Sequence, residues 1–272
     1  MKNIKNLFVL GLFLSGCLMF SVDAFAHTLW INATDYRVEF HPKYGAKTNV
    51  YFGWGHSYPV DDFLAVEDLQ GGFSLIYPDG GIEKITPNAG GFLATQINFK
   101  QPGSYIVTAS KKPGFYAMYV DKGEVHHKIG PKTGLNSVIL SLYYEQYAKS
   151  LIDVGEAEDD AFSKPVGHRL EIIPLENPYK LHGCGGHFLP VVILFEGKPA
   201  RFCKVYATYM GFSTGDDFAY ATSTNGEGIA KIRLTHWGAW LIKADIKLPA
   251  LDDLKDKCNE LHYTATLTFE IP

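Results

Sequence analysis

A chain of 272 residues with 25 Lys and Arg against 29 Asp and Glu, a formal net charge of −4, is long enough for two ordinary domains. It has no clustered Lys and Arg of the kind that would attract nucleic acid or an anionic membrane. No phosphate-cradling glycine loop and no zincin helix occurs, which sets those chemistries aside.

The chain opens MKNIKN, continues through the apolar run LFVLGLFLSGCLMFSV and reaches DAFA, where Ala24 and Ala26 make an A-x-A exit. A charged start, an apolar middle and small exit residues are the parts of a secretory signal. The apolar run is shorter than the roughly 20 residues a membrane span needs. Residues 1–26 are therefore expected to be removed, leaving a periplasmic protein that begins at His27. Leu14-Ser15-Gly16-Cys17 also matches a lipobox, but apolar residues follow Cys17 where a lipoprotein turns polar. A lipid anchor at Cys17 would be the only tie to a membrane. Cleavage removes Lys2, Lys5 and Asp23, which takes the formal charge to −5.

The body reads as mainly β. GFSLIY, ATQINF, SYIVTA, LPVVILF, KVYATYM and ATLTFEI are short runs of β-branched and aromatic residues between turn signals such as YPDGG, QPGS, EGKP and TNGEG. Such spacing predicts antiparallel strands in Ig-like β-sandwiches. FKQPGSYIVTA at 99–109 aligns with LTHWGAWLIKA at 234–244 at a constant offset of 135, matching Gly103 with Gly238 and Tyr105 with Trp240. The repeat predicts two tandem sandwiches, 27–122 and 168–272, each with a strand led by a buried aromatic after a glycine turn. Between them lies a linker, 123–167. In SVILSLYYEQYAKSLID, apolar residues recur at three- and four-residue steps (Leu140, Tyr143, Tyr144, Tyr147, Leu151) without Gly or Pro. That periodicity predicts a short connecting helix near 137–152. The mature chain keeps Cys184, Cys203 and Cys258. An oxidising compartment favours one bridge, with Cys203 and Cys258 the first choice.

His27 is the strongest candidate ligand. At a free N-terminus its α-amine and imidazole can chelate one divalent ion, because an amine of pKa near 7.7–8.0 gives up its proton to a metal around neutrality. FGWGHSYPVDD supplies His56 with Asp61 and Asp62, a donor set suited to Ni²⁺, Co²⁺, Zn²⁺ or Cu²⁺. GEVHHKIG supplies His126 and His127, which face opposite ways if the segment is a strand. HGCGGH offers His182, Cys184 and His187 as a second candidate metal site or an ordinary turn. His236 reads as structural. Gly211-Phe212-Ser213-Thr214-Gly215 fits G-x-S-x-G, but an acidic turn and another strand follow where a nucleophile elbow needs a helix.

VGHRLEIIPLENPYKL, LPVVILFEGKPARFCKVYA and NGEGIAKIRLTHWGAWLIKA carry Gly167, Glu171, Ile172, Pro174, Asn177 and Pro178, then Gly197, Lys198 and Pro199, then Asn225, Gly226, Gly238 and Trp240. With the AH start and the GWGH-x-x-PVDD loop, these resemble the bacterial periplasmic nickel or cobalt uptake accessory proteins (NikK-like). The resemblance implies a β-rich partner of an inner-membrane nickel/cobalt permease, and it carries ligand roles only onto His27 and His56. The leading expectation is a Ni or Co binder, with Cu or Zn as other ions, and not an enzyme. The alternatives are an N-terminal-His copper protein or oxidative enzyme, and a structural or carbohydrate-binding β-sandwich module.

Overall fold

The computed structural model describes residues 27–183 and 185–272; the signal segment and the lipobox lie outside the described residues. The first half supplies β1 (Thr28–Ala33), β2 (Arg37–Val38), β3 (Ala46–Gly55), β4 (Gly72–Ile76), β5 (Ile82–Lys84), β6 (Thr95–Phe99), β7 (Gly103–Asp121), β8 (Glu124–Ile129) and β9 (Val138–Val154). The second supplies β10 (Leu170–Pro174), β11 (Phe188–Phe195), β12 (Lys198–Pro199), β13 (Lys204–Tyr209), β14 (Tyr220–Ser223), β15 (Ile229–Arg233), β16 (Gly238–Pro249) and β17 (Glu260–Ile271). The protein is mostly β, with several sheets packed as sandwiches. The described residues hold no α-helix, only short 3-10 turns, and no helix among them is long and apolar enough to cross a membrane.

One sheet crosses the whole molecule in the order β14-β13-β16-β17-β9-β7-β4-β5. A small sheet, β1-β3-β6, belongs to the first half, and another, β10-β11 with β12 and β15, to the second. The two halves repeat one topology: β1, β3 and β6 correspond to β10, β11 and β15, while β5-β4-β7-β9 mirrors β14-β13-β16-β17. The corresponding strands β9 and β17 lie side by side and parallel, so the halves are related by a pseudo-twofold axis running along the strands. Such an axis exchanges the faces of the shared sheet. Gln146 on β9 and Thr266 and Thr268 on β17 bond upward to β1. Lys149, of opposite parity on β9, bonds to Glu171 on β10 across the other face. The alternation of side chains along a strand thus sets the two small sheets on opposite faces. Gly103 and Gly238 each open their strand, and Tyr105 and Trp240 are both fully buried, one in each sandwich.

The predicted helix is a strand. β9 is the centre of the shared sheet, antiparallel to β7 and parallel to β17, and from Ser150 to Val154 both faces are buried. A strand covered on both sides loses the apolar-polar alternation, and what spacing remains resembles a helical period. The segment 123–167 is accordingly no linker, since β8 and β9 within it extend the first half's sheet. The expected Cys203–Cys258 bridge is absent; both thiols are free and buried. Cys203 adjoins Lys204, which pairs with Asp245, whereas Cys258 lies beyond Glu260, which pairs with Pro249. Four residues of strand separate those levels, about 13 Å, and a bridge needs Cα atoms within about 7 Å. Cys184 lies outside the described residues.

Candidate metal site

β1 and β3 are antiparallel with Thr28 opposite Gly55, so the next rung outward sets His27 opposite His56. Their rings meet edge to face with centroids 4.6 Å apart, and His27 also meets the Trp54 ring at 5.2 Å. β1 has a partner strand on one side only. Its other edge is held by side chains at every second carbonyl: Gln146 Nε2 donates to His27 O at 2.6 Å, Thr266 Oγ1 to Leu29 O at 2.8 Å and Thr268 Oγ1 to Ile31 O at 2.5 Å.

The loop carrying His56 is fixed at three points. Its base is closed by Asp62 N–H donating to Trp54 O at 2.8 Å. Pro59 O accepts from Trp30 Nε1 at 2.8 Å and Asn32 Nδ2 at 2.9 Å. Asp61 Oδ2 accepts from the backbone N–H of His56 at 2.7 Å and of Ser57 at 3.2 Å. Two glycines permit this closeness. A Cβ on Gly53 would fall 2.0 Å from Trp30 Nε1, and one on Gly55, at φ +139°, 2.3 Å from Asp61 Oδ2.

Electrostatics favour a neutral His56. Burial lowers its pKa, nearby His27 pushes the same way, and Asp61 and Asp216 oppose. Asp61 is held below the usual carboxylate range first by the His56 N–H, with Ser57 N–H and both imidazoles adding while burial opposes. Asp61 therefore shapes the loop as an anionic acceptor, and Asp62 Oδ1 accepts from the Phe63 N–H at 2.7 Å.

His56 also lines a cavity of about 20 Å³ with Thr28, Trp30 and Tyr58 of the first half and Thr208, Ser213, Asp216, Asp217 and Lys243 of the second. That volume admits one water or one ion. The second-half residues carried no sequence signal, since nothing in the chain links position 56 with positions 213–217. The cavity arises because the small sheet of the second half covers the opposite face, leaving β16 and β13 to meet the first half's loop.

The other predicted ligands lie elsewhere. His127 pairs with Met118 and His126 with Tyr119 across β7 and β8, and Met118 is level with Leu140. Gln146, which holds His27, is six residues further along β9, about 20 Å. The expected participation of His126 or His127 in the His27 site is thus corrected: His126 stacks on Tyr119 and His127 bonds to the Tyr116 hydroxyl. His182 and His187 face each other at 6.3 Å, while Cys184 between them is outside the described residues. Among the described residues no three His, Cys, Asp or Glu side chains are grouped to hold one ion. His236 is structural, stacked parallel on Tyr209 at 4.5 Å and accepting from Trp240 Nε1. Ser213 Oγ donates to Asp217 at 3.0 Å with no helix after it.

Fold and site together define a two-part β-sandwich protein with a pair of imidazoles at the edge of its first sheet. The chain belongs to the family described as a domain of unknown function, DUF4198, whose model matches residues 24–248. No curated protein matches it. Among solved structures it is similar to the D00-D0 domain of intimin, at 11% identity and a TM-score of 0.21 over 90% of this chain and 99% of that one. It is also similar to native E. coli alpha-2-macroglobulin, at 9% identity and 0.21 over 88% and 20%. The part of that protein spanning domains MG0-NIE-MG1 gives 12% and 0.21 over 86% and 71%. The layers described above rest on this chain's own strand pairing.

Proposed function

We propose that residues 27–272 form an extracytoplasmic binder of a divalent transition metal, nickel or cobalt, that passes its ion to an inner-membrane permease. The observation that carries this reading is the 4.6 Å edge-to-face approach of His27 and His56. Two imidazoles bound at right angles to one ion, with metal–nitrogen bonds near 2 Å, have centroids about 4.5 Å apart. The third nitrogen is the His27 α-amine, a backbone group that becomes a ligand only after cleavage at Ala26. The depressed basicity of His56 keeps its ring neutral and available near neutrality. His56 is exposed, so a partner can reach the ion it holds. The choice of nickel or cobalt rests on the sequence resemblance. The same nitrogens take Cu²⁺ more tightly, so the ion delivered depends on supply and partner.

The test is calorimetric titration of the mature chain with Ni²⁺, Co²⁺ and Cu²⁺, alongside His56→Ala. One site per chain is expected, weakened at least about tenfold in the variant, since even outer-shell partners of a metal are worth that much. Equal binding by His56→Ala would end the reading.

A further inference from the structure

The cavity beside His56 is built from both halves. Its second-half wall is the loop 210–219, between β13 and β14, together with Lys243. The loop is held at both ends and within itself. Phe212 packs on Tyr209 at 5.4 Å and Phe218 on Tyr206 at 5.0 Å. Between them Ser213 Oγ accepts the Gly215 N–H and donates to Asp217 Oδ2, each at 3.0 Å. Asp216 is thereby carried on a braced turn, exposed, and lines the same one-ion cavity as His56.

A dication held by two imidazoles and an amine has no anionic ligand. Of the four carboxylates nearby, three are engaged in shaping loops: Asp61 accepts the His56 and Ser57 N–H groups, Asp62 the Phe63 N–H and Asp217 the Ser213 hydroxyl. The fourth is Asp216. Resting on the metal site proposed above, we propose that Asp216 closes onto the ion held by His27 and His56 as its carboxylate ligand, three side chains that are not grouped before the ion binds. Metal binding then fastens the second half's loop onto the first half's N-terminal strand. The influence of Asp216 on the His56 imidazole agrees with that proximity. The consequence is a surface that reports occupancy: with the ion bound, loop 210–219 and the His56 loop are joined through it, and without it they only line a common cavity. A permease component that docks across both loops would thus distinguish the loaded protein from the empty one.

The experiment uses the mature protein and Ni²⁺ chloride, with wild type, Asp216→Asn and His56→Ala compared by calorimetry and by amide hydrogen exchange. Asp216→Asn changes an exposed turn residue without loss of volume, and an unchanged thermal midpoint would establish that it folds. The expected result is Ni²⁺ affinity at least about tenfold weaker in Asp216→Asn, on the scale of a lost metal partner. Ni²⁺ should also slow exchange at residues 211–218 in wild type but not in nickel-saturated Asp216→Asn. If Asp216→Asn keeps wild-type affinity while His56→Ala loses it, the clamp is wrong and the metal site stands. If wild type takes up no Ni²⁺, both fall together.

Discussion

Lys149 and Glu171 tie the shared sheet to the second half's small sheet, and removing the ammonium has a calculable cost. Lys149 Nζ lies 2.8 Å from Glu171 Oε1, with each side chain 2% exposed. Burial pushes the Glu171 carboxyl up, but the Lys149 ammonium and its hydrogen bond outweigh this and hold it below the usual range. Lys149→Met leaves a buried carboxylate without its cation, a change that costs about 3–5 kcal/mol. Glu171 keeps the Val166 N–H at 2.7 Å and the Gly167 N–H at 3.1 Å, so the lower end, about 3 kcal/mol, is expected. At about 2–4 °C per kcal/mol for a chain of this size, the midpoint falls by about 6–12 °C. Because the folded pKa of Glu171 lies below its unfolded value near 4.3, the contribution of its carboxylate is present above that pH and is lost as pH falls further, while burial lowers the Lys149 ammonium against the pull of Glu171. Lys149→Met/Glu171→Gln, which buries no charge, should cost less than Lys149→Met alone. Urea denaturation of the mature protein at pH 7 measures both. A loss below about 1 kcal/mol for Lys149→Met, or a double variant worse than the single, refutes the reasoning.

Three further outcomes are expected. Gly53→Ala would drive a Cβ into the buried Trp30 ring; it should destabilise by about 2 kcal/mol or more and weaken Ni²⁺ binding through the displaced Pro59 anchor, both read by melting and calorimetry. Thr266→Val with Thr268→Val removes two of the three bonds holding the free edge of β1; at about 0.5–1.5 kcal/mol each, hydrogen exchange near His27 should rise while the remaining sheet stays protected. Burial pushes the His168 imidazole down to about 4, with Lys149 adding and Glu171 opposing. The unfolded chain then takes up this proton first, so stability is lost as pH falls from about 6.5 to about 4, by at most about 3 kcal/mol and less for the partly exposed ring. His168→Gln should flatten that slope in a series of melts.

Much of this arrangement is legible in the sequence for physical reasons. Turn signals and β-branched runs mark the strands, and the glycine-aromatic repeat marks Tyr105 and Trp240, because those positions answer to local rules. His27 and His56 meet because each stands one residue outside a strand of the same hairpin-like pair, Thr28 against Gly55. What the sequence hid is non-local. β9 resembles a helix because it is covered on both faces, and the distance of His126 and His127 follows from a β7 and β9 that run far past the site. Asp216 comes to line the cavity beside His56 only through the pseudo-twofold arrangement of the halves, which no spacing in the chain records.

The most direct test of the metal site is the α-amine of His27. Mature protein beginning at His27 should bind Ni²⁺ at least about tenfold more tightly than the same chain acetylated at its N-terminus, which removes the amine as a ligand. The advantage should shrink as pH falls from about 8 to about 6, where amine and imidazole hold their protons. Equal affinities for the two chains at about pH 8, where the amine gives up its proton to a metal most readily, would contradict an N-terminal metal site.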